Sequence, residues 1–199
     1  MTRHAARLWD AAAGIYDLIF IPLDGLLFRR WRRRAMAEIE AWPLLEAGAG
    51  TGLNFRFYPH DARGVAIDFS YGMLRRAASR ADRPRGVHLV VADVQRLPFP
   101  EERFASSLAT LVFCGVDSPE EGLRELRRTV KAGGRVVLLE HVRPKGILGP
   151  LFDFLNIFSA RLFCDHLNRR TERAVAAWFE ITALRETGCG VLQLLVSRR

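Results

Sequence analysis

The residues best able to do chemistry are clustered in Glu46-Ala47-Gly48-Ala49-Gly50-Thr51-Gly52. The run follows a strand-like stretch and leads toward a short helix. Glycines there let the chain turn tightly and let a ligand approach backbone with no Cβ in the way. Sixteen positions beyond Gly52, at the end of the next strand-like run, stands Asp68. A carboxylate at that point can accept hydrogen bonds from both hydroxyls of a ribose. A nucleotide-like ligand would lie outside the carboxyl ends of the strands. The spacing is G-x-G-x-G: position 53 is Leu, which breaks the dinucleotide pattern. The Gly-Lys-Ser/Thr ending of a phosphate-cradling loop is absent too, so the ligand need not carry phosphates. A third carboxylate, Asp93 in Val91-Ala92-Asp93-Val94, ends another strand where an adenine amino group would be read.

These residues need elements to hold them. From Leu44 onward the chain alternates strand-like and helical patterns. Strands are expected at 43–47, 64–68, 87–92, 107–113 and 135–141, with helices at 71–80 and 119–130. Such alternation implies βαβ units and a mostly parallel sheet covered on both faces. The runs VHLVVA and RVVLL are apolar on successive residues, as strands buried on both faces are. Two more strand-like runs, 179–184 and 191–196, are expected to form a terminal antiparallel hairpin. The expected fold is therefore α/β: a Rossmann-like, seven-stranded, mostly parallel sheet.

The first forty residues differ. An amphipathic helix is expected over 5–20, broken by Pro22 and Gly25. A second helix, 26–39, carries Arg29-Arg30-Trp31-Arg32-Arg33-Arg34. We read residues 1–199 as one domain, with 1–42 a helical lid and membrane-contact segment and 43–199 the core.

Composition limits the function classes. The chain has 199 residues, 49% hydrophobic and 26% charged, with net charge +8. That suits one packed domain and excludes a disordered chain. No apolar run reaches the ~18–20 residues of a membrane-spanning helix. The first residues lack the apolar core and cleavage site of a signal peptide. Three separated cysteines without a CxxC argue against a disulfide framework and against a zinc site. They point to the reducing cytoplasm. On a helix, Arg29, Arg30, Arg33 and Arg34 form a basic face beside Leu26, Leu27, Phe28 and Trp31. That pattern suits an anionic membrane surface. With no recognised RNA-binding motif, nucleic acid is disfavoured as a partner. An ordinary solvated helix face is the plain alternative. Oligomeric state is not legible.

Taken together, EAGAGTG, VAIDFSYGML, ADVQRLPFP, LATLVFCGVDSP and VKAGGRVVLLEHVRP resemble class I S-adenosylmethionine-dependent methyltransferases. The likeness runs from about Leu44 to the C-terminus. It is closer to bacterial phospholipid N-methyltransferases and to the ubiquinone/menaquinone C-methyltransferases, through Tyr16-Asp17, TGLNFRFYP, EHVRP and CDHLNRRTE. Ala132 stands where a proline is usual, and Trp178 where a glycine is common.

The resemblance implies S-adenosylmethionine as cofactor. Gly48, Gly50 and Gly52 would lie under its methionine and ribose parts, with Glu46 near the methionine end. Asp68 would take the ribose, and Asp93 with the Val94 backbone the adenine. Phe69 or Met73 would pack on the adenine ring, a core position being equally open for Met73. Tyr16, His141 and Glu140 are candidates to orient an amine or take its proton. Buried structural roles for Tyr16 and His141 stand beside that reading. Arg143, His166, Arg169 and Arg170 would face a phosphodiester head group or a solvated helix face. Cys114 reads as structural, because direct methyl transfer needs no covalent intermediate. The expected substrate is a membrane lipid, first of all phosphatidylethanolamine, at the cytoplasmic membrane surface. Alternatives are a quinone precursor, a small thiol, and binding without turnover.

Overall fold

A computed structural model describes residues 8–11, 13–14, 18, 24–144, 146, 149–150, 152–154, 156, 171–187 and 190–199. Seven strands form one sheet: β1 (Leu44–Ala47), β2 (Arg63–Asp68), β3 (Gly86–Val91), β4 (Phe104–Thr110), β5 (Val130–His141), β6 (Glu180–Glu186) and β7 (Leu192–Arg198). Their spatial order is β3-β2-β1-β4-β5-β7-β6. The first five are parallel, and β7 lies antiparallel between β5 and β6. The expected Rossmann-like sheet and terminal antiparallel strands are both present. The strand order reverses at β1, which places a ligand crevice at the carboxyl ends of β1 and β4.

The helices are α1 (Arg29–Ala37), α2 (Tyr71–Ala78), α3 (Pro119–Thr129) and α4 (Thr171–Ala176). Residues 8–11, 13, 14 and 18 are helical too, and a π-helical turn, Asp24–Phe28, leads into α1. Side chains alternate across the sheet with period two. Leu45, Ala47, Ala109, Val136 and Leu138 pack with Leu123 and Leu126 of α3 and Val175 of α4. Leu44, Leu108, Val137 and Leu139 pack on the other face with Ala35 and Met36 of α1. Burial on both faces explains the apolar run of β5, whereas β3, expected to be buried likewise, lies at the sheet edge and leaves Val91 53% exposed.

Two strands differ most from their sequence expectation. β4 lies three residues earlier than 107–113, because Leu111 adopts φ +58° and turns the chain out of the sheet. The apolar run Leu111–Phe113 therefore belongs to the loop beyond β4. β5 begins at Val130 rather than 135. Val130 pairs with Phe104, a register shift follows, and the regular ladder starts at Arg135 opposite Ser106.

Helix α1 turns Arg32, Ala35 and Met36 inward. Arg29, Arg30, Arg33 and Arg34 are exposed, as the helical spacing predicts. Trp31 is partly buried against the α1 side of the core, with the Arg34 guanidinium 5.0 Å over its ring. No described helix is long and apolar enough to cross a membrane.

Candidate active site

A cleft with about 830 Å³ of empty space, counted to its open mouth, lies beyond the carboxyl ends of β1, β2 and β4. Its floor is Gly48, Ala49, Gly50 and Thr51. Phe69 and Met73 form one wall with Ala92 and Val94, and Thr110, Leu111 and Val112 form the other. Trp9 and Arg32 approach from the N-terminal helical residues.

The floor needs glycine for two different reasons. Gly48 has φ +69°, and a Cβ there would stand 2.3 Å from Val112 Cγ2. Gly50 has φ +55° and open space where a Cβ would be. The first glycine permits close packing of two loops. The second leaves bare backbone facing the cleft.

Asp68 joins that loop to the end of β2. Its Oδ2 accepts from Gly50 N–H and its Oδ1 from Ser70 N–H, each at 2.9 Å. Two carboxylate oxygens offer about four lone-pair sites, so acceptor capacity remains for a ligand. Burial pushes the Asp68 carboxyl up from 3.8 to about 6, the two N–H groups pull it back, and the Asp10 charge raises it further. Asp10 sits close because its Oδ1 accepts from Ser70 Oγ at 2.5 Å and from Gly72 N–H at 2.8 Å. It thereby docks the helical residues around Trp9 onto the N-terminus of α2. The Arg76 guanidinium adds a hydrogen bond to the Gly14 carbonyl.

Glu46 is wholly buried and does not line the cleft. Asn54 Nδ2 donates to its Oε1 and the Tyr58 hydroxyl to its Oε2, both at 2.6 Å. Burial pushes the Glu46 carboxyl up, against the pull of those donors and of Arg32. Burial and the Glu46 charge raise the Tyr58 phenol as well. Glu46 thus acts on the cleft through Asn54, which reaches both Arg32 and Thr110.

The other expected residues fall in several places. Val94 lines the cleft, but Asp93 does not, and its carboxylate accepts from the backbone and side-chain N–H groups of Gln95. Glu140 is fully buried, and its Oε1 accepts from Val112 N–H at 3.1 Å and Phe113 N–H at 3.0 Å. It fastens the loop beyond β4. His141 ends β5 with the Phe28 ring edge-on at 5.5 Å. Arg143 is ion-paired to Asp153 at 2.8 Å. Cys114 is buried, 3% exposed. Tyr16, His166, Arg169 and Arg170 lie outside the described residues.

Sequence reasoning missed Arg32, Asn54, Thr110, Asp10 and Trp9. For Arg32 a signal existed. It is three and four positions from Ala35 and Met36, on the buried face of α1. Its residue type, inside an arginine run, concealed that.

Residues 45–138 match the family of methyltransferase domains. The chain is 36% identical over 141 residues to phosphatidylethanolamine N-methyltransferase of Cereibacter sphaeroides, covering 67% of each chain. The chain belongs to the class I S-adenosylmethionine-dependent methyltransferases. It is also 36% identical over 145 residues to demethylmenaquinone methyltransferase of Thermobifida fusca, covering 69% of this chain and about three fifths, 61%, of that one. A solved Thermotoga maritima structure, described as a methyltransferase with possible histamine N-methyltransferase activity, superposes with TM-score 0.74 at 20% identity. It covers 98% of this chain and 99% of that one, and it supports the fold alone.

S-adenosylmethionine is the methyl donor of this family, and the cleft fits it. The bare backbone at Gly50 leaves room that a Cβ would fill. Asp68 stands at the strand end with acceptor capacity for a ribose, and Phe69, Met73, Ala92 and Val94 give apolar walls for a flat base.

Proposed function

We propose that this methyltransferase acts on a membrane lipid, N-methylating phosphatidylethanolamine and its partly methylated forms toward phosphatidylcholine. The observation that carries the donor half is the glycine-floored cleft ending at Asp68. Similarity to the Cereibacter enzyme supports the amine acceptor. A second reading, C-methylation of a quinone precursor, is supported by similarity to the Thermobifida enzyme and uses the same donor half.

When bound, S-adenosylmethionine supplies a methyl group on a sulfonium, a leaving group good enough for direct displacement. The chain's task is then alignment and proximity. Asp68 would accept from the ribose hydroxyls, and the backbone at Val94 with the Phe69 and Met73 side chains would hold the base. Glu140 works indirectly, by fixing Val112 against Gly48. An ammonium has no lone pair, so the acceptor amine must first lose a proton. His141, at the β5 end, and Tyr16 are the candidates to take it. Arg143, oriented by Asp153, and His166, Arg169 and Arg170 would meet the phosphodiester.

The exposed Arg29, Arg30, Arg33 and Arg34 face would hold the protein at the cytoplasmic surface of the membrane. Each arginine near an anionic surface adds on the order of 1 kcal/mol. The test is transfer of labelled methyl into vesicles of phosphatidylethanolamine mixed with an anionic lipid, beside vesicles carrying a demethylated quinol. Label in mono-, di- or trimethylated phospholipid, lost at high salt or when the four exposed arginines are neutralised, supports the proposal. Label in the quinol alone transfers it to the second reading. Binding of donor with no label in either overturns both.

A further inference from the structure

Among the described residues, the two outer strands of the sheet are β3 and β6. An outer strand presents a row of unpaired backbone N–H and C=O groups, a template for another strand. β6 carries the usual protections against that. It has a bulge between Ile181 and Ala183, and it holds Glu180, Arg185 and Glu186. β3 carries none of them. Gly86-Val87-His88-Leu89-Val90-Val91 contains no Lys, Arg, Asp, Glu or Pro, and it pairs with β2 in unbroken register. Its last side chain, Val91, is more than half exposed.

Backbone groups along a strand point alternately to its two sides. Ala92 N–H donates to the Asp68 carbonyl at 3.0 Å, toward β2. Leu89 and Val91, three and one residues earlier, therefore turn their N–H and C=O groups outward. Val87 turns its C=O outward as well, while its N–H donates to the Pro84 carbonyl at 3.1 Å. Charge is divided between the two ends of this edge. Arg85 is exposed just before the strand. Asp93 stands two residues past the strand's end, its carboxylate oriented by Gln95.

We propose that the β3 edge joins a second copy of this chain as an antiparallel two-fold pair, extending the sheet across a dimer. The sequence is self-complementary in one register. With Leu89 on the axis, Val91 lies opposite Val87 and Arg85 opposite Asp93, each twice. Facing positions of an antiparallel pair share one side of the sheet, as 87, 89 and 91 do. Each Leu89 would exchange two hydrogen bonds with its mate. Each Val91 N–H would meet the Val87 carbonyl of the other copy. The register centred on His88 instead sets Val91 against Arg85 and His88 against itself. A two-fold pairing closes after two copies, so the open edge disappears rather than growing into a fibre. It covers one strand edge, less than a standard interface, so its Kd should be about micromolar.

Sedimentation velocity of the full chain from about 1 to about 200 µM spans that range. The expected result is a reversible monomer–dimer equilibrium. Val91 lies outside the donor cleft. Val91→Lys should shift the equilibrium about tenfold toward monomer, through two altered cross-strand pairs, with Tm little changed. Arg85→Asp and Asp93→Arg each set like charges opposite one another at both ends, and each alone should be monomeric. Mixed in equal amounts they restore both opposite-charge pairs, and the dimer should return. Hydrogen exchange locates the contact: the amides of Leu89 and Val91 should gain protection as concentration rises, and those of β6 should not. Monomer throughout would overturn the proposal and leave the edge to a strand of another protein. A dimer indifferent to Val91→Lys, or protected elsewhere, would overturn it as well. So would two folded charge variants that fail to pair when mixed.

Discussion

Two backbone N–H groups, from Val112 and Phe113, converge on one oxygen of the buried Glu140. That arrangement suits Glu140 to positioning the loop beyond β4 rather than to accepting a proton. Glu140→Gln keeps an oxygen for both N–H groups. It should fold with little loss and retain methyl transfer within a few-fold. Glu140→Ala leaves both donors without that partner, Phe113 N–H in a buried place, and should cost about 1–3 kcal/mol in denaturant unfolding. Gln at this position with normal stability and donor binding but no transfer would return the proton to Glu140. The contrast with His141 is one of place: His141 is the next residue along β5 and lies at the strand's very end.

At the scale of elements, the loop after β1 works because its glycines solve separate problems. Gly48→Ala would drive a Cβ into Val112 and should lower Tm strongly. Gly50→Ala meets no protein atom, and its left-handed backbone alone costs about 1–2 kcal/mol. Its methyl would stand in the cleft, so donor affinity should fall out of proportion to Tm. Equal effects of the two substitutions on both readouts would refute this division. The glycine loop and Asp68 were legible in the sequence because few residue types can do what they do. The strand shift at β4 was not. The run Leu111–Phe113 is apolar enough for a strand, and only the turned backbone at Leu111 shows where pairing stops. Asn54 and Tyr58 were visible as part of TGLNFRFYP, but their convergence on Glu46 depends on how the turn after β1 folds back.

For the whole molecule, the charge pattern divides one short helix between two tasks. Four arginines of α1 face outward, while Arg32, in the same run, closes the cleft from inside. Composition could report the excess of +8 but not that division, which follows from which helical face meets the sheet. The parallel character of the sheet was legible through the alternation of strands and helices, because parallel strands need crossovers, but the strand order was not. The reach of the N-terminal helical residues to α2 through Asp10 was not, since the contact joins positions 62 residues apart.

The central claim is that the Asp68 cleft holds S-adenosylmethionine, and titration of that ligand across pH 5 to 8 tests it most directly. Burial raises the Asp68 carboxyl from 3.8 to about 6. An acid raised on folding binds its proton more tightly folded, so for the free protein its contribution to stability is greatest at low pH. That contribution is lost as pH rises from about 3.8 through about 6. The ligand acts with opposite sign, because ribose hydroxyls donate to the ionised form. Affinity should hold above pH 7 and fall below about 6, by up to about tenfold per pH unit. Asp68→Asn should bind weakly with no such slope. A variant that binds as tightly as the unaltered protein, or an affinity flat through pH 6 in the unaltered protein, would contradict the account.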